Sequence, residues 1–468
     1  MTGHALTLTA GQAAIWMDGT LVGGSADTVP DSWAYDSRQL QPGSAFLAIV
    51  AARDGHEFAD AAIAAGASLV VVSRPDVAER LASRTTVVLV DDTVRALQRL
   101  GRAVRRHSGA RVVAITGSAG KTSTKEAIAA LLDGHHAVVK NQGNLNNHIG
   151  LPLSLLALRH GADVAVMELG MNHAGEIRTL VGIAEPDVCV WTNVGDAHIG
   201  NFGSAERIAD AKAEILEGAG PDTVFVANAD DPRVMTRTAA FPGRVITVGL
   251  SPGAEVRATR VSDLGVLGTR ALVETPGGTC SITVQIPGLA QLSNVLCAIA
   301  VALAFGVPLS ALPARIATLR PAHRRGEVHA LPSGLTVVDD SYNSSPSALR
   351  RSLEMLSHSA CPGRRIAVLG EMLELGALSE SLHADCGRAA AASGVGLLVT
   401  VGPAPARVLG DAAVAAGLSA LAWVHADTSA EAASRVAALV QPGDLVLVKG
   451  SRGTRTDLVV DRLLETGA

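Results

Sequence analysis

The run Val112 to Thr116 favours a strand, and it leads through Gly117-Ser118-Ala119-Gly120-Lys121-Thr122-Ser123-Thr124 into a helical stretch from Lys125 to Leu132. A glycine-rich turn between strand and helix, closed by a lysine and a hydroxyl, is a phosphate cradle. Its backbone N–H groups and the helix N-terminus face an anion, Lys121 bridges phosphates, and the Thr122 hydroxyl reaches Mg²⁺. The spacing is G-x-x-G-K-[ST]; Ile115 stands where the stricter G-x-x-x-x-G-K-[ST] has its first glycine. Two further strand ends supply polar groups. Val164 to Met167 delivers Glu168, an oxygen ligand suited to a hard cation, and Val188 to Thr192 leads to Asn193, Asp196 and His198. Open α/β sheets gather ligands at the carboxyl ends of their strands, so His198 reads equally as a ligand and as a surface imidazole.

Lysine is scarce. The 39 basic residues include only Lys121, Lys125, Lys140, Lys212 and Lys449, which leaves 34 arginines. A compact ammonium can sit among phosphates, and a primary amine can lose its proton and be modified, whereas a guanidinium does neither. Each retained lysine is therefore a site candidate. Lys212, in a helical stretch, reads either as such a site or as a solvated cation.

These residues need a large scaffold. The chain has 468 residues, 48% of them hydrophobic, which predicts two to four domains with cores of their own. Net charge is −5 and aromatic content 3%, which argues against binding a nucleic-acid backbone or stacking on bases. The longest apolar run, Val295 to Phe305, is too short for the ~18 residues of a membrane span, and Met1 to Ala10 lacks the pattern of a secretory signal, so a cytoplasmic protein is expected. Cys189, Cys280, Cys297, Cys361 and Cys386 show no C-x-x-C spacing and read as buried thiols.

The elements fall into three segments. In 1–108, Ser68 to Val72 and Thr86 to Val90 read as strands and Glu57 to Ala65 and Thr93 to His107 as helices; Arg102, Arg105 and Arg106 read as the solvated end of the last helix, with a binding patch as the alternative. In 109–319, apolar strands alternate with helices, predicting a largely parallel sheet; Pro252 to Gly288 reads as antiparallel strands at one edge, followed by a helix from Ser293 to Phe305. In 320–468, strands at Thr336 to Val338, Arg365 to Leu369, Gly396 to Val401, Leu421 to Val424 and Asp444 to Val448 predict a Rossmann-like domain. The fold class expected is α/β in three domains: a small mixed α/β domain, a central P-loop domain with a parallel sheet, and the Rossmann-like domain.

The strings TGSAGKTS, GNLNNHIGLPLSLL, ELGMNHAGEI, TNVGDAHIGNFGS, AKAEI, DDSYNSSPSALRRSLEML, LGEMLELG and VKGSRG, with DSR and DGHEF nearer the N-terminus, follow one another along nearly the whole chain. In that order they resemble the Mur ligase family. DDSYNSSP is similar to the DDSYNANP pattern of the branch that adds D-alanyl-D-alanine to UDP-N-acetylmuramoyl-tripeptide.

The resemblance implies that 1–108 binds the UDP-sugar peptide, 109–319 binds ATP, and 320–468 binds the incoming amine. It implies an ATP-dependent amide ligase of peptidoglycan precursor synthesis that works through an acyl phosphate. The cradle residues Gly117, Ser118, Ala119, Gly120, Lys121, Thr122 and Ser123 would hold the nucleotide. Asn294 would contact adenine, Asp340 ribose, and Arg325 phosphate at an interdomain hinge. Two Mg²⁺ would be held by Thr122, Glu168, His198 and a carbamylated Lys212, and Lys121, Lys212, His198 and Arg325 would take part in catalysis. Asp36, Ser37 and Arg38 match the motif at the uridine-diphosphate end of the substrate, though by themselves they read as a turn. Asn146, Asn147, Tyr342 and Asn343, within the matching strings, would also face substrate. The implied partners are small molecules, with no nucleic acid and no membrane span, acting on a monomer. The chain departs from the family pattern in three places: Ala51-Ala52 replace Gly-Glu before D-G-H, Ala290-Gln291 replace His-Asn, and His323-Arg324 replace Pro-Gly before Arg325. The rival readings are a related ligase using another amine and a P-loop ATPase without ligase activity.

Overall fold

The computed structural model describes residues 3–467; Met1, Thr2 and Ala468, at the outer ends of the first and last expected domains, lie outside the described residues. The chain forms two compact units. The first comprises Met1–Ile115, Leu132–Cys189 and Glu214–Val224, and the second Thr116–Leu131, Val190–Ala213 and Phe225–Ala468.

In the first unit a five-stranded sheet runs in the order Thr20–Gly23, Thr86–Leu89, Leu69–Val72, Ala45–Leu47, Trp33–Ala34, and only its first pair is antiparallel. Leu69–Val72 is buried at every residue, which is why it reads as an unbroken apolar run. A second parallel set joins Arg111–Thr116 to Val164–Glu168 and Val164–Glu168 to Val138–Lys140, with Ile115 in register with Glu168. The helix Thr93–Ser108 begins where Asp92 accepts from the N–H groups of Val94 and Arg95, and it stops at Gly109 with φ 67°.

That helix meets one expectation in part. Arg102 and Arg106 are exposed, as a solvated helix end requires, whereas the Arg105 side chain is tucked against the neighbouring helix. Arg102 and Arg106 both grip the Glu185 carboxylate, while Arg105 donates to the carbonyls of Ala184, Glu185 and Ala110 and to Asp187. They tie down the end of the helix Glu176–Ala184.

In the second unit the strands Val224–Asn228, Arg244–Gly249, Val256–Asp263, Thr269–Thr275 and Gly278–Val284 are successive neighbours, the last three antiparallel as expected. A six-stranded sheet follows in the order Glu327–Ala330, Thr336–Asp340, Leu445–Lys449, Arg365–Gly370, Leu397–Val401, Trp423–Ala426, parallel throughout except for the first pair. Alternate residues of Arg365–Gly370 enter different cores: Ala367 and Leu369 pack with the helix Pro346–His358, Ile366 and Val368 with the helix Ser429–Leu439. Helices therefore cover both faces, the arrangement of a doubly wound sheet.

Several boundaries shift. The helix after the cradle begins at Lys121 rather than Lys125, so Lys121 and Thr122 occupy its first turn. The helix expected from Ser293 begins at Ala290. Ala420–Ala422 is a 3₁₀ turn and the strand beside it is Trp423–Ala426, later than the expected Leu421 to Val424. Glu327–Ala330 is an edge strand that sequence reading did not mark. Cys189, Cys297 and Cys386 are buried, Cys280 and Cys361 partly so, and all five thiols are free. Among the described residues no helix is long and apolar enough to cross a membrane.

Candidate active site

The cradle is tightly enclosed: its neighbours occupy the space that side chains would need. Gly117 and Gly120 have φ of 151° and 83°, and a Cβ on them would meet Thr192 Oγ1 at 1.9 Å and Asn294 Oδ1 at 2.2 Å. Asn193 secures the turn at two points: Oδ1 accepts from Ala119 N–H and Nδ2 donates to Ala119 O, each at 3.0 Å. Its own carbonyl accepts from Ser118 N–H at 3.0 Å. Lys121 Nζ lies 3.0 Å from Gly117 O, folded back over the loop. Ser123 follows in the first turn of the helix.

Three basic side chains act on one another here. Lys212 is 2% exposed, and no carboxylate pairs with it among the described residues. Burial, reinforced by Lys121, pushes its ammonium well below the ordinary lysine range. That overturns the solvated-cation alternative. His198, at the head of a short helix with φ 64°, is held below the ordinary imidazole range by burial, with Lys121 and Lys212 acting in the same direction and the Glu374 carboxylate opposing them. Glu374 Oε2 is 2.5 Å from His198 Nδ1. A phosphate cradle beside a lysine that burial drives toward a neutral, nucleophilic amine fits a polyanion held with cations and an amine open to modification.

Asn294 is 6% exposed, and its amide is committed within the protein: Oδ1 accepts from Thr124 Oγ1 at 3.3 Å, and Nδ2 donates to Gln291 Oε1 at 2.9 Å. Gln291, one of the departures from the family pattern, thus sets the orientation of Asn294.

Farther along the second unit, Asp340 and Lys449 are register partners on adjacent parallel strands. Lys449 Nζ donates to Asp340 Oδ2 at 2.6 Å and to Asn343 O at 3.1 Å, while Ser352 Oγ holds the same Asp340 oxygen at 2.9 Å. The Arg325 guanidinium sits 4.2 Å from the centre of the Tyr342 ring, with Arg452 at 5.7 Å on the same ring. Arg324 has φ 57°, a conformation that suits the family's glycine, and its side chain is tied to Asp457, to Asp461 and, at 4.0 Å, to Asp339.

In the first unit Glu168 is 4% exposed; its Oε1 accepts from Asn146 Nδ2 at 2.9 Å, and its backbone is clasped by Asn141. Asn147 Oδ1 instead accepts from the N–H groups of Ile149 and Gly150, in the turn that leads into the helix Gly150–Leu155. Asp36 starts a 3₁₀ turn, Ser37–Gln39, and chelates the Arg38 guanidinium at 2.9 and 2.7 Å, leaving an outward-facing, oriented cation. The second unit thus brings together Lys121, Thr122, His198, Lys212 and Asn294, and in another cluster Arg325, Asp340, Tyr342 and Asn343; the first holds Asp36, Ser37, Arg38, Asn146, Asn147 and Glu168. Sequence reading gave no role to Asn193, Gln291, Glu374 or Lys449. Lys449 was signalled by the scarcity of lysine and Glu374 lay in a matching string.

Three family models match the chain: "Mur ligase family, catalytic domain" over 33–105, "Mur ligase middle domain" over 115–302, and "Mur ligase, glutamate ligase domain" over 324–452. Relatives named UDP-N-acetylmuramoyl-tripeptide--D-alanyl-D-alanine ligase include that of Escherichia coli strain K12, 34% identical over 99% of both chains, and that of Bacillus subtilis strain 168, 34% identical over 94% of both. Among solved structures, MurF from Acinetobacter baumannii superimposes with a TM-score of 0.86 at 30% identity, covering 99% of this chain and 100% of that one. MurF ligase from Thermotoga maritima in complex with ADP gives 0.81 at 29% identity, covering 93% and 98%. With its three domain types matched in order and its length covered almost end to end, the chain belongs to the Mur ligase family.

Proposed function

We propose that this protein is the ATP-dependent ligase that joins D-alanyl-D-alanine to UDP-N-acetylmuramoyl-tripeptide in peptidoglycan precursor synthesis. The observation that carries the reading is Lys212, buried and without a carboxylate partner among the described residues, beside the Lys121 cradle and His198, in a chain that matches ligases of that name end to end.

A carboxylate is a poor acyl donor, so ATP converts the tripeptide's terminal carboxylate to an acyl phosphate, and the dipeptide amine displaces phosphate to form the amide. Lys121 and the amides of residues 117–123 hold and neutralise the phosphates. Asn294 and Asp340 face the nucleoside, and Arg325, steadied on Tyr342, meets phosphate near the hinge at Arg320 to Gly326. The first domain, 1–108, receives the UDP-sugar peptide, with the Arg38 cation opposite the diphosphate and Asp36 fixing its direction. Asn146, Asn147, Tyr342 and Asn343 line the path of the peptide and the amine. The central domain is 109–319 and the amine domain 320–468, and closure of the hinge excludes water from the acyl phosphate.

Two Mg²⁺ would supply charge neutralisation for phosphoryl transfer. Thr122, Glu168, His198 and Lys212 are the residues that would hold them. Carbon dioxide adds to the neutral Lys212 amine, forming an N–C bond with loss of one proton, and gives an oxygen donor suited to a hard ion. The protein acts as a cytoplasmic monomer.

The test is incubation with ATP, Mg²⁺, UDP-N-acetylmuramoyl-tripeptide and D-alanyl-D-alanine. A pentapeptide product by mass spectrometry, formed in step with phosphate, is the expected result. Phosphate without amide, or faster ligation of another amine from a panel, overturns the reading.

A further inference from the structure

We infer that Glu374 is a positioning residue for His198, a carboxylate from the C-terminal segment that fixes the imidazole's orientation for the nucleotide site. This rests on the reading of His198 as a working residue of that site. Apart from the carboxylate 2.5 Å away, His198 Nδ1 is a buried nitrogen without a hydrogen-bond partner. A proton kept on Nδ1 by the adjacent carboxylate leaves the lone pair on Nε2, where it can serve a ligand.

The pair is built from both sides. On one, Gly200 N–H donates to Glu374 O at 3.0 Å, and a Cβ on Gly200 would meet Gly376 N at 2.6 Å and Glu374 O at 2.7 Å. Only glycine lets the backbones approach this closely. Nearby, Arg350 reaches Asp196 at 3.1 Å. On the other, residues 371–376 are anchored to the six-stranded sheet: Glu371 N–H donates to Val401 O at 2.9 Å, Met372 N–H to His383 Nε2 at 3.0 Å, and Leu373 N–H to Ser451 Oγ at 2.9 Å, with Met372 and Leu375 in the apolar core. Glu374 projects from this anchored loop with φ 64°. The histidine of the nucleotide site is therefore completed only when that loop is seated against Gly200.

The experiment compares wild type, Glu374→Ala, Glu374→Gln and His198→Ala as full-length protein, with unfolding midpoints to establish that each folds. ¹⁵N-histidine NMR at alkaline pH, with the His198 resonance assigned by its loss in His198→Ala, reads the tautomer. We expect wild type to show Nδ1 protonated and Glu374→Ala a tautomer mixture with kcat lowered about 10–100-fold at nearly unchanged KM for the dipeptide. Glu374→Gln, which keeps an acceptor oxygen, should restore most of both. An unchanged tautomer and kcat in Glu374→Ala would overturn the inference. If His198→Ala itself kept full activity, the role given to His198 would fail instead, so the two failures are distinguishable.

Discussion

Lys212 and Lys449 are buried to nearly the same degree, 2% and 4% exposed, in very different company. Lys449 lies across a strand pair from Asp340 and meets its carboxylate at 2.6 Å, so its charge is balanced where it sits. Lys212 meets no anion among the described residues, and burial with Lys121 depresses its ammonium. A buried cation with a counter-ion holds a structure together; one without it raises the energy of the fold and persists because something else needs the amine. The Lys449 amine braces Asp340, whereas the proposed reading gives the Lys212 amine a chemical task.

The harshest way to break this contrast is to remove each amine and measure ligation. Lys212→Ala should lose at least about 10³-fold in rate while keeping its fold, and a small carboxylic acid should restore part of it by placing an oxygen anion in the vacated space. Full activity in that variant would make Lys212 a mere helix residue. Stability should move in opposite directions. In urea unfolding without nucleotide or metal, Lys449→Met should lose about 1–3 kcal/mol, because Asp340 is left only partly solvated, while Lys212→Met should gain about 1 kcal/mol. Equal signs would erase the distinction.

His383 sharpens it as a base whose burial lowers its proton affinity, with the Ser379 carbonyl opposing that shift. Nε2 accepts from Met372 N–H at 3.0 Å, Nδ1 faces Ser379 O at 2.7 Å, and burial lowers its affinity for a proton. Because the unfolded chain binds that proton more readily, stability should fall as pH drops below about 6.5, no more steeply than about 1.4 kcal/mol per pH unit. His383→Gln should flatten that slope, and an identical slope in the variant would remove His383 as its source. The smallest effect belongs to the exposed pair. Arg38→Ala should leave the unfolding midpoint unchanged and raise only KM for the UDP-sugar substrate; a change in KM for ATP would place Arg38 at a different ligand.

The cradle was legible because a rare residue stood at fixed spacing from two glycines. Its helix began earlier than read because Thr122, Ser123 and Thr124 have weak helix propensity, which the packing of the first turn overrides. The doubly wound sheet was legible from apolar runs that no exposed face interrupts. Glu327–Ala330 was not, since its burial alternates and it pairs only at an edge. The arginines near residue 105 read as a solvated end, which Arg102 and Arg106 are, but nothing local reveals that Glu185 and the carbonyls of another helix wait for them. Glu374 lay in a matching string, but its role was hidden for the same reason: a glutamate in a loop acquires meaning only from the histidine that the fold sets opposite it.

The Arg105 brace also bears on how the first unit breathes. The helix Glu176–Ala184 exits through Glu185, a non-glycine residue at φ 44°, a place where a chain would ordinarily fray. By capping that end with one guanidinium anchored in another helix, the fold links the two helices into a single opening unit. Amide exchange at residues 181–185 should then follow the cooperative unfolding of the whole unit, and a protease would find no separate point of entry there.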